Sequence, residues 1–416
     1  MTRAMKDSGI EWIGQIPENW KILKFKNIGT YINGYAFKPE DWTSEGKAII
    51  RIQDLTGSNN KPNYYDKQLD IKYNVSNGDF LISWAATLDA FIWNKEDAWL
   101  NQHIFKAIPN RIMHNKYFFW LIKEAMQNMN NDNKHGIMMQ HVTLNVFNNF
   151  LVPIPPISEQ KKIADYLDKR CEKIDTAIDN QKQIIENLKE YKQSLITETV
   201  TKGLNPNVKL KDSGIEWIGS IPEHWEIRKL SRLFKERKCK NTGMKEHNVL
   251  SLSYGKIKKR DIENNMGLLP ESFETYNIVI PGNIVLRLTD LQNDHRSLRT
   301  GLVKEVGIIT SAYVTMERIM DIDEDYYHKL LHTFDIMKGF YNMGDGVRQS
   351  LKFNELNKLL LPQPPLSEQK EIAEYLDTKC NQIDEAIKQK EETISKLEEY
   401  KKSLIFECVT GKKEVS

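Results

Sequence analysis

His328 and His332 stand four residues apart in DEDYYHKLLHTFDIMKGF (323–340), a stretch with helical character. That spacing puts two imidazoles on one helix face, where they could hold a metal ion. No glutamate of an H-E-x-x-H motif lies between them and no third ligand is evident, so no metal site is expected. Asp41, Glu45 and Lys47 have the residue types of a carboxylate–lysine nuclease centre, but they are crowded too closely for its spacing. No G-x-G-x-x-G follows a strand-like run, and no G-x-x-x-x-G-K-[ST] occurs. The Asn/Asp-Pro-Pro-aromatic tetrad and Phe-x-Gly-x-Gly loop of adenine methyltransferases are also missing; IPPI and QPPL do not supply the tetrad. The four cysteines, Cys171, Cys239, Cys380 and Cys408, form no C-x-x-C pair, and their sparseness fits a reducing cytoplasm. No catalytic residue is expected.

The chemistry the side chains do offer is recognition. Arg, Lys, Asn and Gln are the types that read base edges and phosphates. They gather in predicted loops, with aromatic residues between them. The DNA-contact candidates in the first half are Tyr35, Lys38, Arg51, Gln53, Trp84, Gln102, His103, Lys134 and Gln140. In the second half they are Tyr254, Lys256, Lys258, Arg260, Arg287, Arg296, Arg299, Arg348 and Gln349. By position, Arg51–Gln53 and Ser251–Gly255 occupy similar strand–loop places. So do Trp84 and Arg287, and NQH (101–103) and TSAY (310–313). For any single residue a solvated loop is the plain alternative; the joint occurrence carries the case. Most tryptophans, including Trp12, Trp20, Trp42, Trp84, Trp93, Trp99 and Trp120, are expected in the core.

These loops need elements to position them, and the chain writes its elements twice. KDSGIEWIG begins at Lys6 and again at Lys211. PPISEQKKIADYLD (155–168) is answered by PPLSEQKEIAEYLD (364–377), and EYKQSLI (190–196) by EYKKSLI (399–405). The repeated ends frame divergent middles, as one scaffold carrying two specificities would. Each half reads as α+β: short β-like runs first (KAIIRIQDL, GDFLISW and AFIWN; NVLSLSYG, NIVIPGNIVLRL and VGIITSAYVTM), then helices around 116–129 and 323–340.

Each PP-x-SEQ opens a long helix, with Ser158 and Ser367 as expected N-caps and no Pro or Gly before Gly203 and Gly411. About 44 residues at 1.5 Å each span roughly 66 Å. A mostly apolar stripe steps by four and three through Ile163, Leu167, Cys171, Ile174, Ile178, Gln181, Ile185, Leu188, Lys192, Leu195 and Thr199 in one helix, and through Ile372, Leu376, Cys380, Ile383, Ile387, Lys390, Ile394, Leu397, Lys401, Leu404 and Cys408 in the other. That heptad predicts a coiled coil in which each helix covers the other's stripe. The domain joining the two helices is about 40 Å across, too short to bridge 66 Å, so the helices should run antiparallel. The expected fold is α+β, with two globular domains at opposite ends of an antiparallel two-helix coiled coil and an internal pseudo-two-fold repeat. The expected segments are 1–157, 158–203, 204–366 and 367–416. Each nonapeptide is then either a join between a rod end and a globular domain or simply the first strand and turn of that domain.

A chain of 416 residues with net charge +2 is long enough for such cores. A faint basic excess lies on the two globular segments and an acidic one on the last helix. No run matches a membrane span, and the first residues lack an apolar signal core, so the expectation is cytoplasmic.

Two variable domains, each closed by a PP-x-SEQ-x-x-I-A-x-Y-L-D helix, resemble the specificity subunit of prokaryotic type I restriction–modification enzymes. PIPPISEQKKIADYLD, PQPPLSEQKEIAEYLD and GVRQSLKFNELNKLLLPQPP (346–365) carry the resemblance. It implies two target recognition domains, each binding one half of a split, asymmetric site on double-stranded DNA, with the helices setting the gap. It further implies two methyltransferase subunits bringing S-adenosylmethionine and adenine-N6 methylation, and two ATP- and Mg-dependent motor–nuclease subunits for restriction. No cofactor would belong to this chain. A coiled-coil scaffold joining protein-binding domains, without a DNA role, is the competing class.

Overall fold

The computed structural model describes residues 3–57, 61–85, 87–132, 144–260, 272–291, 298–343 and 350–415. The chain forms two compact units: Met1–Gln181 with Glu392–Ser416, and Lys182–Glu391. Among the described residues the α-helices are α1 (Ile52–Thr56), α2 (Asn115–Asp132), α3 (Leu144–Asn149), α4 (Ile157–Lys202), α5 (Glu324–Ile336), α6 (Phe353–Leu356) and α7 (Leu366–Val409). The long helices α4 and α7 each contribute one end to each unit.

In both units KDSGIEWIG folds as a hairpin. Met5–Asp7 pairs antiparallel with Gln15–Pro17, and Leu210–Asp212 with Ser220–Pro222. Each residue type has its reason. Asp7 Oδ1 accepts from the Gly9 amide at 2.9 Å, and Ser8 Oγ from the Ile10 amide at 3.1 Å; Asp212 and Ser213 repeat both bonds. Gly9 and Gly14 hold φ of 70° and 67°, which a side chain disfavours. Ile13 and Ile218 drop into the two cores.

The helix starts differ from expectation. α4 and α7 begin at Ile157 and Leu366, one residue before Ser158 and Ser367, so neither serine is the N-cap. The carbonyls of Pro156 and Pro365 accept the first helical bonds, from Gln160 and Gln369 at 3.0 Å. Proline serves here because a helix start needs no N–H from it. The Glu-Gln of SEQ then does the anchoring. Glu159 accepts from Trp20 Nε1 at 3.0 Å and pairs with Arg3 at 2.6 Å; Glu368 accepts from Trp225 Nε1 at 2.9 Å and pairs with His224 at 2.6 Å. Gln160 Oε1 takes the His114 amide and Gln369 Oε1 the Asp323 amide, both at 2.8 Å, fixing the starts of α2 and α5. Trp20 and Trp225 are almost wholly buried.

The heptad stripes are covered. In the first unit Ile163, Leu167, Ile174 and Ile178 of α4 pack in one core with Leu397, Leu404 and Cys408 of α7. In the second, Ile372 and Leu376 of α7 share a core with Leu195 and Val200 of α4, while Ile383 is buried and Leu188 and Ile387 are half-buried. Register is marked by facing ion pairs, Lys401–Asp175 in the first unit and Lys192–Asp384 in the second, both at 2.6 Å. The pairing of α4 with α7 is antiparallel in each unit. A second repeated motif, IPE-x-W, follows each nonapeptide (16–20 and 221–225), and the end of α4 meets the second copy: a Cβ on Gly203 would lie 3.3 Å from the Trp225 ring. The end of α7 meets the first: a Cβ on Gly411 would lie 2.5 Å from Pro17 Cδ. Each helix end thus meets the Pro and Trp just after the nonapeptide, while the nonapeptide itself takes the first-strand role.

In the first unit a four-stranded antiparallel sheet runs Gly29–Asn33, Ile104–Pro109, Phe80–Ser83, Asp89–Ile92. Its counterpart in the second runs Phe234–Glu236, Val314–Arg318, Ile284–Leu286, Thr300–Leu302. A second group of strands follows the same logic. Lys47–Ile50 lies parallel to Ala98–Leu100, and Val249 bridges Ile308 in parallel. Both units are α+β. The run KAIIRIQDL corrects the strand expectation beyond Ile50. Asp54 Oδ2 accepts the Arg51 amide at 2.8 Å and caps α1, turning the chain out of the sheet. Similarly, 323–340 is helical only to Ile336 before a 3-10 turn at Gly339–Asn342. No described helix is long and apolar enough to cross a membrane.

Candidate nucleic-acid interface

Sheet topology gathers most of the first unit's candidates at one set of strand ends. Ile50 pairs with Leu100, so Arg51 and Asn101 leave neighbouring strands side by side. The Tyr35 amide donates to the Leu100 carbonyl at 2.8 Å, and the Gln102 amide to the Tyr35 carbonyl at 2.9 Å. The Trp84 amide donates to the His103 carbonyl, and its ring stacks on Phe105 with centroids 5.7 Å apart. Tyr35, Arg51, Trp84, Gln102 and His103 thus share one neighbourhood. Gln53 sits exposed on α1 beside it. Arg51 is half-committed, donating to the Lys61 carbonyl at 3.0 Å with Asp54 3.7 Å away. Lys38 is exposed on a separate turn, capped by Asp41 at 2.8 Å. Asp41 and Lys47 do not converge on a nuclease centre, since Lys47 Nζ donates to Asn74 at 2.7 Å and lies over the Trp99 ring.

The second unit places its candidates at the corresponding strand ends. Trp84 follows Phe80–Ser83, and Arg287 follows the matching Ile284–Leu286; NQH and TSAY both precede the sheets' matching strands. Ser251 lies on the continuation of the Val249 strand, as Arg51 follows Lys47–Ile50. There the units diverge. Where the first makes α1, the second makes a two-stranded ribbon, Leu250–Ser253 with Lys256–Lys259. Lys256 and Lys258 are exposed on it, Arg260 is half-buried at its end, and Tyr254 stands at its tip, 78% exposed.

Arg299 is a correction. Its side chain is fully buried, and its guanidinium donates to the carbonyls of Arg287 (3.1 Å), Thr289 (2.8 Å) and Asp290 (3.2 Å). It is spent holding the loop that carries Arg287, and no base can reach it. Lys134, Gln140, Arg296, Arg348 and Gln349 lie outside the described residues. Of the tryptophans expected in the core, Trp20, Trp93, Trp99 and Trp120 are buried, Trp12 and Trp84 half-buried, and Trp42 exposed.

Beneath the ribbon lies a cleft of about 550 Å³ whose walls include Tyr254, Lys256, Lys304, His328 and His332. The two histidines do share a face of α5, ring centroids 6.1 Å apart. Burial pushes His328 down to about 3 and lowers His332, keeping both neutral. Among the described residues no cluster of three His, Cys, Asp or Glu could hold a metal. The side chains that seat α2 and α5 were not singled out by sequence reasoning. Tyr117 OH reaches the carbonyls of Pro153 and Val409 (3.2 and 3.3 Å); in the second unit Tyr326 takes Val200 (2.9 Å) and Tyr327 takes Pro362 (3.2 Å). The ribbon was also missed, because Tyr-Gly is not one of the dipeptides, such as Asn-Gly or Asp-Gly, that signal a two-residue hairpin loop.

The family model for the type I restriction modification DNA specificity domain matches residues 17–198 and again 222–396. The chain belongs to this family of specificity subunits. A curated member, the type I restriction enzyme EcoBI specificity subunit of Escherichia coli, is 22% identical over 99% of this chain and 90% of its own length. The MjaVIII specificity subunit of Methanocaldococcus jannaschii is 26% identical over 96% and 94%. Among solved specificity-subunit folds, the HsdS subunit from Thermoanaerobacter tengcongensis superposes with a TM-score of 0.51 at 15% identity, covering 95% of this chain and 98% of that one. A chain from a study of complex assembly and conformational transition of the type I R-M system reaches 0.67 at 14% identity, with the same coverage. As a specificity subunit of the type I class, this chain serves DNA sequence recognition. Its two matched segments fall on the two halves of the sequence repeat.

Proposed function

We propose that this chain is the non-catalytic reader of a bipartite, asymmetric DNA site, each unit reading one half. The observation that carries the reading is the repeated strand-end platform. Both units place polar, cationic and aromatic side chains at topologically equivalent positions, yet fill them differently, as two unlike half-sites require. Trp84 answers Arg287, and α1 answers the β-ribbon. Phosphate neutralisation by residues such as Lys256 and Lys258 makes binding strongly salt-dependent. In this reading α4 and α7 set the gap between half-sites. Two methyltransferase subunits, with S-adenosylmethionine, methylate adenine N6 at the site, and two motor–nuclease subunits, with ATP and Mg, use the same address for restriction.

A genome-wide map of N6-methyladenine in cells with and without this gene tests the reading. The expected result is loss of one split motif with a methylated adenine in each half. An unchanged map in cells that express the chain and its partner methyltransferase would overturn it.

A further inference from the structure

Tyr254 is an aromatic residue in a place where the backbone disfavours one. Its φ is 46°, and Gly255 beside it is at 75°. Ser253 pairs with Lys256, so Tyr254 and Gly255 form a two-residue loop of the kind that prefers Asn-Gly. A bulky side chain there is a genuine outlier, and such strain persists where the surroundings fix it.

The surroundings do fix it. A Cβ on Gly255 would lie 3.1 Å from His332 and 3.4 Å from Leu298, so the glycine side of the turn rests against the protein. A Cβ on Gly301 would lie 2.6 Å from Leu252 and 2.9 Å from Ile257, so the ribbon's inner face is seated just as closely. With the ribbon seated at those two points, the Tyr254 ring, which borders the cleft beneath, is left 78% exposed at the tip. It has no ring or cation contact among the described residues. Lys256 and Lys258 flank it, exposed and without an ion pair among those residues. A two-stranded ribbon fits the major groove, about 12 Å wide.

We propose that Tyr254 is a base-contacting, specificity-determining side chain of the second unit, presented by a ribbon that enters the major groove, with Lys256 and Lys258 on the flanking phosphates. This rests on the DNA-recognition reading and names the element and the residue through which the second half-site is read.

The test selects duplexes from a randomised pool with the full-length chain at fixed salt, using wild type, Tyr254→Asn and Tyr254→Phe, and records the thermal melt of each. Asn at this position suits the left-handed turn, so Tyr254→Asn should melt a few degrees higher. It should also lose preference at one or more positions of one half-site, bind the wild-type sequence about ten-fold more weakly, and leave the other half untouched. Tyr254→Phe should keep the selected sequence. Tyr254→Gly provides a second ring-less chain if the asparagine variant fails to fold. Selection of the same sequence at unchanged affinity by a ring-less variant would overturn the proposal while leaving DNA recognition standing. A wild-type chain that selects no sequence would remove the recognition reading and this proposal together.

Discussion

Trp20 and Trp225 show how much a single repeated residue can hold. Each fills a core and gives its indole N–H to the glutamate at the start of a long helix. Replacing Trp20 with alanine should cost about 3–5 kcal/mol, the range for a large buried side chain. Trp20→Phe keeps most of the packing and loses the donor, leaving Glu159 with Arg3, so about 1 kcal/mol is expected. Urea denaturation of the two variants separates packing from the hydrogen bond. His328 makes a pH prediction. Its folded value is held near 3, below the unfolded value of about 6.5. Its contribution to stability is therefore present above pH 6.5 and lost as pH falls toward 3, at up to about 1.4 kcal/mol per pH unit, with His332 adding in the same direction. Urea midpoints at pH 7, 6 and 5 should decline for wild type and decline less for His328→Gln. At this scale the sequence disclosed residue types better than their duties. Arg299 looks like any loop arginine until its carbonyl partners are seen, because chain folding alone decides which guanidinium faces inward.

At the scale of elements, α4 and α7 were the most legible part of the chain. A heptad sustained over some 44 residues leaves one reasonable partner, and a linking domain too small to span the helix leaves one direction. The polar positions in that stripe, Lys192 and Lys401, read as breaks in the pattern but are its register marks, each meeting an aspartate on the facing helix. Asp175→Lys should set like charges against Lys401 and lower the melting temperature. The exchange Asp175→Lys with Lys401→Asp should recover most of that loss, because the pair attracts in either order. A double-mutant cycle by thermal melting measures this coupling, about 0.5–1 kcal/mol for a half-exposed pair. The strand ends were harder to read. The pattern of KAIIRIQDL continues a strand through Arg51, yet one aspartate three residues on caps a helical turn there, and the pattern of Leu250–Lys259 reads as a strand followed by a basic loop where the structure has a ribbon. Local side-chain–backbone bonds of this kind compete with strand pairing, and sequence periodicity does not see them.

For the whole molecule, the testable quantity is the spacing between half-sites. Thr197–Thr201, near the end of α4, is the wrong place to lengthen the helix. In the structure Thr199, Val200 and Thr201 are buried, with the Val200 carbonyl bonded to Tyr326, so an insertion there would break the second unit's core. Matched heptads after Gln181 in α4 and after Glu391 in α7, where the units divide, should preserve both cores. Each adds about 10.5 Å of helix, and the methylated motif is expected to keep its half-site bases while its gap widens by up to about three base pairs. Mapping methylated adenines in cells carrying the doubly extended chain checks this, and altered half-site bases would count against helices as the spacer.

The contact of Gly411 with Pro17 and Trp20 repeats that of Gly203 with Pro222 and Trp225. The two junctions are equivalent seams, one of them spanned by LNPNVKL (204–210). A chain re-cut within that heptapeptide, with residue 415 tied back to residue 3 by a similar tether, would exchange which seam is open. Both helix–hairpin junctions would keep their pairings, and the order in which the ribosome delivers the halves would be reversed.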